Sequence, residues 1–137
     1  MDNSKQITVF LYTGYTPRAS ALKERITKAC DGRAIISLID SENSILEKRS
    51  RKENSVVVLD LPNIKRSAVQ TVKLVKKRTS KTKLLAIHIY TTRLLVNPLL
   101  DAGVDGYLTY EPSPEQIKEA ITSVLDGEQY LPVDILS

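Results

Sequence analysis

The stretch from Ser55 to Asn63, SVVVLDLPN, constrains the fold of this chain more than any other. Val56, Val57, Val58 and Leu59 form a continuous run of β-formers with no polar position between them. A strand with one wet face alternates apolar and polar residues. An unbroken run therefore predicts a strand buried on both faces, as in the middle of a parallel sheet. Asp60 follows at once, and Pro62 with Asn63 then turns the chain out of the sheet. Its carboxylate is thereby expected at the carboxyl end of the strand, the edge of an open α/β sheet where ligands bind.

At 137 residues the chain has room for one ordinary domain, with a core over about residues 6–127 and a tail over 128–137. No apolar run approaches the ~20 residues of a membrane span. The polar start, MDNSKQ, has no signal-peptide pattern, so a cytoplasmic protein without membrane contact is expected. A single cysteine, Cys30, excludes an intramolecular disulfide, and its place on an amphipathic helix reads as a buried thiol. The formal charge of +4 permits acidic partners without requiring them.

The rest of the chain alternates strand and helix signals around the central run. Ile7 to Leu11 reads as a first strand, followed by Thr16 as an N-cap with Pro17 at the first helical position. Leu22, Ile26 and Cys30 recur every four residues and give that helix one apolar face, which Asp31 and Gly32 end. Ala34 to Ile39 reads as the second strand, and Asp40 to Arg49 as a weak helix with Ile45 and Leu46 to bury. After the central strand, Lys65 to Thr79 reads as a helix burying Ala68, Val72 and Val75 under a basic outer surface. Leu84 to Ile89 is a fourth buried strand with His88 near its carboxyl end. Pro98 then either kinks a helix or follows Asn97 as the cap of a short new one. A short fifth strand, Tyr107 to Thr109, precedes a last helix with Ser113 and Gln116 as capping box, Pro114 at its start and Gly127 at its end.

Five strands alternating with helices predict a three-layer α/β/α domain, because parallel strands need crossover helices that cover both faces. The flavodoxin-like order 2-1-3-4-5 is the common arrangement for a five-stranded parallel sheet of this kind. It places the ends of strands one, three, four and five around one crevice with Asp60 in its floor.

Gly103 to Pro132, GVDGYLTYEPSPEQIKEAITSVLDGEQYLP, closely resembles the fifth strand and last helix of response-regulator receiver domains, in particular the NarL/FixJ (LuxR-type) group. The spacing from VVVLD through LLAIHIY to GVDGYL extends the resemblance over essentially the whole chain. The resemblance implies a CheY-like fold in two-component signal transduction, with Asp60 matching the aspartate that accepts a phosphoryl group. That chemistry also needs a divalent cation and a fixed positive group to neutralise the incoming charge. The family supplies an acidic pair after strand one, a hydroxyl residue ending strand four and a lysine ending strand five. Here those places hold Thr13 and Gly14, His88, and Tyr110, so magnesium binding is expected to be weak or absent and the stabilising charge to be missing. Tyr107 matches the family's switch aromatic, whose ring moves between inward and outward positions.

The resemblance thus implies an atypical, degenerate receiver that acts through protein contacts. Its expected partners are a second copy or another signalling protein, meeting the helix after strand four, the fifth strand and the last helix. Neither a histidine kinase nor a downstream regulator is specified, and DNA enters only through an output domain in a longer transcription regulator. The alternative keeps Asp60 as a phosphoacceptor, with Tyr110 donating a hydrogen bond and protonated His88 supplying charge. Each residue also has a plain structural reading. Asp60 fits a strand-end cap, and His88 a packed core histidine, since a metal site needs several converging ligands. Tyr107 and Tyr110 fit packing at the sheet edge. The basic run from Lys73 to Lys83 suits nucleic-acid phosphates by charge, but it lacks interleaved aromatics or a recognition motif and fits a solvated helix face better. A small-ligand domain is disfavoured because YTGYTPR has one glycine and no phosphate-loop spacing. No residue set supports an enzyme.

Overall fold

The computed structural model describes residues 6–39, 54–78 and 82–135. Five parallel strands form one sheet: β1 (Ile7–Tyr12), β2 (Ala34–Ile39), β3 (Ser55–Asp60), β4 (Lys83–His88) and β5 (Gly106–Thr109), in the order β2-β1-β3-β4-β5. Among the described residues the α-helices are α1 (Thr16–Ala29), α2 (Ala68–Arg78), α3 (Arg93–Ala102) and α4 (Pro114–Leu125), and a 3-10 turn, Leu61–Asn63, follows β3. The weak helix expected over 40–49 lies outside the described residues.

Alternation along the strands builds two cores. Val9, Leu11, Val56, Val58, Leu85 and Ile87 pack with Leu22 and Ile26 of α1 and with Ile117 and Ile121 of α4. Phe10, Val57, Leu59, Leu84 and Ala86 face the other way, against Val72 and Val75 of α2 and Val96 and Leu99 of α3. All of β3 is buried, as the run of β-formers requires. Each fully buried valine or leucine of this kind stabilises the fold by about 1.5–3 kcal/mol.

Differences from expectation fall at element ends. Tyr15, with extended backbone, holds the N-cap of α1, so Thr16 is its first residue and Pro17 its second. A proline is tolerated at either position because neither N–H has a partner within the helix. The helix closes with Asp31 and Gly32 at positive φ, and Gly32 N–H donates to Thr27 O at 3.1 Å in a Schellman-type stop. Helix α2 begins at Ala68 rather than near Lys65, because the Ser67 hydroxyl accepts from Gln70 N–H at 3.2 Å and caps it there. Strand β4 ends at His88, opposite Thr109, which leaves Ile89 exposed. Helix α3 is a single helix with Pro98 inside it, so Asn97 starts no new one. At α4, the capping box of Ser113 and Gln116 is formed in full. Beyond it, Tyr130 lies along the edge of β5, its carbonyl accepting from Tyr107 N–H at 3.0 Å.

Candidate functional site

Asp60 ends β3 with no solvent exposure. Its Oδ2 accepts from the Thr13 hydroxyl at 2.6 Å and from Asn63 Nδ2 at 2.9 Å. Thr13 follows β1 and Asn63 ends the turn begun at Leu61, so two neighbouring strand ends converge on one carboxylate oxygen. Gly14 N–H donates to Asn63 O at 3.0 Å, which draws the two loops together. A Cβ at position 14 would stand 2.3 Å from that carbonyl oxygen. The loop as built admits only glycine there.

The other oxygen, Oδ1, faces helix α1. Arg18 Nε stands 3.7 Å from it, and both side chains are almost fully buried. The Arg18 Nη1 donates to Glu111 Oε1 in the loop after β5. The same oxygen receives Arg25 Nη1 at 2.7 Å, while Tyr110 covers the guanidinium with its ring centroid 4.3 Å from Cζ. Hydrogen bonds from Arg18 and then Arg25 hold the Glu111 carboxyl below the usual carboxylate range. Sequence reasoning singled out none of Arg18, Arg25 and Glu111. The only local signal is that Arg18 lies in the first turn of α1, where the helix dipole disfavours a cation; the burial that makes a carboxylate partner necessary is not written in the local sequence.

These residues do not fit a hard divalent cation. Such an ion takes several oxygen ligands, chiefly carboxylates. Beside Asp60 stand a hydroxyl at Thr13 and no side chain at Gly14, and a guanidinium faces the remaining carboxylate oxygen. Among the described residues, no group of three or more histidine, cysteine, aspartate or glutamate side chains could hold a metal.

No protein-family model matches the chain. Response regulator UvrY of Escherichia coli strain K12 is 26% identical over 80 residues, 58% of this chain and 37% of that protein. Transcriptional activator protein ExaE of Pseudomonas putida is 32% identical over 76 residues, 56% of this chain and 35% of that protein. The matched part of the chain thus spans little more than a third of each of these relatives. Among solved structures, a LuxR-family two-component response regulator from Aurantimonas sp. SI85-9A1 superposes with a TM-score of 0.79 at 14% identity, covering 96% of this chain and 93% of that one. This chain has the fold of response-regulator receiver domains, and part of its sequence is similar to response regulators.

In this pocket, the positions expected to line it do come together around Asp60 and Arg18. The sequence offered no cation at positions 88 and 110, and the expected absence of a fixed charge is corrected by Arg18, which arrives from α1. His88 ends β4 nearly buried, its ring 4.2 Å from that of Tyr90 and its Nδ1 without a hydrogen-bond partner. Burial pushes its pKa below the ordinary value, against the smaller upward pull of the Asp60 charge. Burial thus disfavours the protonated form of His88 that the alternative reading calls on. Tyr107 lies inward with no exposure, and its hydroxyl donates to Tyr90 O at 2.7 Å. Burial drives that phenol well above its usual pKa. Tyr110, half exposed, covers Arg18. Among the described residues no helix is long and apolar enough to cross a membrane.

Proposed function

We propose that this receiver is atypical: Arg18, not a divalent cation, balances Asp60, and the domain signals through protein contacts without enzymatic activity or a metal cofactor. The observation that carries this reading is the buried Arg18 guanidinium 3.7 Å from Asp60 Oδ1. One carboxylate and one guanidinium leave the pocket neutral without a metal. Two further carboxylates at positions 13 and 14 would instead demand one.

The contact surface in this reading is the α3, β5 and α4 face. Leu94 is 82% exposed and Ile89 60%, beside Leu95, which supplies the apolar centre that protein interfaces use. The partner is a second copy in a symmetric dimer, the default for such contacts, in the cytoplasm and away from membranes. Relatives of this kind are longer than the matched part, so an output domain that binds DNA belongs to the proposal only as an attachment in a longer protein. Sedimentation of the wild-type, Asp60→Ala and Leu94→Asp chains tests it. Self-association is expected in the first two and not in the third; a monomer throughout, or association that needs Asp60, contradicts it.

One observation favours a second reading, a phosphorylation-competent Asp60. Its Oδ1 accepts no hydrogen bond and faces a guanidinium. In that reading Arg18 supplies the charge that helps neutralise an incoming phosphoryl group.

A further inference from the structure

Charge is segregated along this chain and across its sheet. Residues 61–100 contain nine lysines and arginines and no aspartate or glutamate, whereas residues 101–137 contain eight acidic residues and one basic. The two blocks contribute α2 and α4, which pack on opposite faces of the sheet. The excess positive charge therefore gathers on the α2 side.

Local stability accounts for part of this charge. Lys76, Lys77 and Arg78 lie in the last turn of α2, where cations suit the helix dipole, and Lys76 Nζ pairs with Asp105 Oδ2 at 3.5 Å. The rest has no such role. Lys65 precedes the helix start, where the dipole disfavours a cation, and Lys73 sits mid-helix. Lys65, Lys73, Lys77 and Arg93 are all exposed and form no ion pair among the described residues.

Two further features indicate what this face would meet. Protein interfaces centre on apolar and aromatic side chains. Yet among the described residues no exposed large hydrophobic lies between 61 and 88; those on this half of the chain begin at Ile89. A phosphate backbone needs no apolar centre, only cations on flexible stems. Lys73 and Lys77 share one outward ridge, about 6 Å apart along the helix axis. One nucleic-acid strand presents a phosphate every ~3.4 Å of its axis, within reach of both stems.

We propose that the outer face of α2 binds the phosphate backbone of nucleic acid, without reading its sequence. The sequence alone reads the Lys73 to Lys83 run as a solvated face; the unpaired exposure of Lys65, Lys73 and Lys77, and the absence of an exposed large hydrophobic among the described residues from 61 to 88, carry the inference further. This site lies in the receiver itself and is independent of any attached output domain.

Fluorescence anisotropy of the full 137-residue chain with labelled duplex DNA of about 20 base pairs, in two unrelated sequences and from about 50 to 200 mM salt, tests this. Equal binding of both sequences is expected, falling steeply with salt. Lys73→Ala/Lys77→Ala should weaken it about tenfold at low salt and reduce the slope of log K against log salt by about two, one for each phosphate no longer neutralised. Lys23→Ala/Lys28→Ala, on exposed positions of α1, should leave both unchanged. Four results would overturn the proposal: no binding at about 50 mM salt, equal weakening in both variants, an unchanged slope, or polyglutamate bound as tightly as duplex. The last would assign the face to an acidic protein instead.

Discussion

Arg18 Nε stands 3.7 Å from Asp60 Oδ1, with the two side chains 5% and 0% exposed. The distance is too long for a hydrogen bond and short enough for strong attraction in a buried setting. The same guanidinium reaches Glu111 through Nη1. Arg18 thus ties helix α1 both to the end of the central strand and to the loop after β5.

Removing one member of this buried pair leaves the other charge uncompensated. Arg18→Ala should cost about 3 kcal/mol of unfolding free energy. Asp60→Asn should cost less, because Glu111 still accepts from Arg18. Urea denaturation of wild type, Arg18→Ala, Arg18→Met, Asp60→Asn and Arg18→Met/Asp60→Asn measures these costs, and the cycle through the Met variants gives the coupling. The double variant should be more stable than Arg18→Ala, since it buries no charge at either position.

Gly14 is required by close approach rather than by a left-handed backbone. A Cβ there would meet Asn63 O at 2.3 Å, so Gly14→Ala should cost about 2 kcal/mol and lower Tm by roughly 5–8 °C. Gly14→Asp should be worse and should gain no magnesium affinity, checked by thermal melting with and without the ion.

His88 is the one histidine of the chain, so its titration is read without overlap. Burial lowers its folded pKa, while the unfolded chain keeps about 6.5. The unfolded state then binds more protons between those two values, so stability is full above about pH 6.5 and falls as pH drops through the folded pKa. His88→Asn should flatten that part of the stability curve. An imidazole NMR titration with a midpoint at or above the ordinary value would contradict the burial argument.

Glu111 acts at more acid pH. Its folded pKa is depressed by Arg18 and Arg25, so its contribution is present above the ordinary glutamate value of about 4.3 and is lost as pH falls through the depressed one. Glu111→Gln should remove that acid limb and leave stability at pH 7 to 8 nearly parallel to wild type.

Much of the fold was legible because it rests on patterns with a period. The unbroken VVVL run, the fourfold spacing of Leu22, Ile26 and Cys30, and the Ser113 capping box each specify a local structure that the tertiary fold preserves. Asp60, Thr13, Gly14, His88 and Tyr110 were placed at strand ends by the same patterns. Arg18 and Glu111 were not, because 93 residues separate them and no local rule links a helix start to a distant loop. The helix-start signal at Thr16 and Pro17 held to within one residue, yet it carried no information about which side chain would turn inward.

A pocket in which the Arg18 guanidinium balances Asp60 should take up neither magnesium nor a phosphoryl group. Incubation with magnesium and acetyl phosphate, or with beryllofluoride, followed by intact mass and two-dimensional amide NMR, tests it most directly, with Asp60→Ala as control. No mass gain at millimolar magnesium and no shifts spreading from Asp60 to Tyr107 are expected. An Asp60-dependent mass gain, or such shifts, would contradict it and make Arg18 part of a working phosphorylation switch.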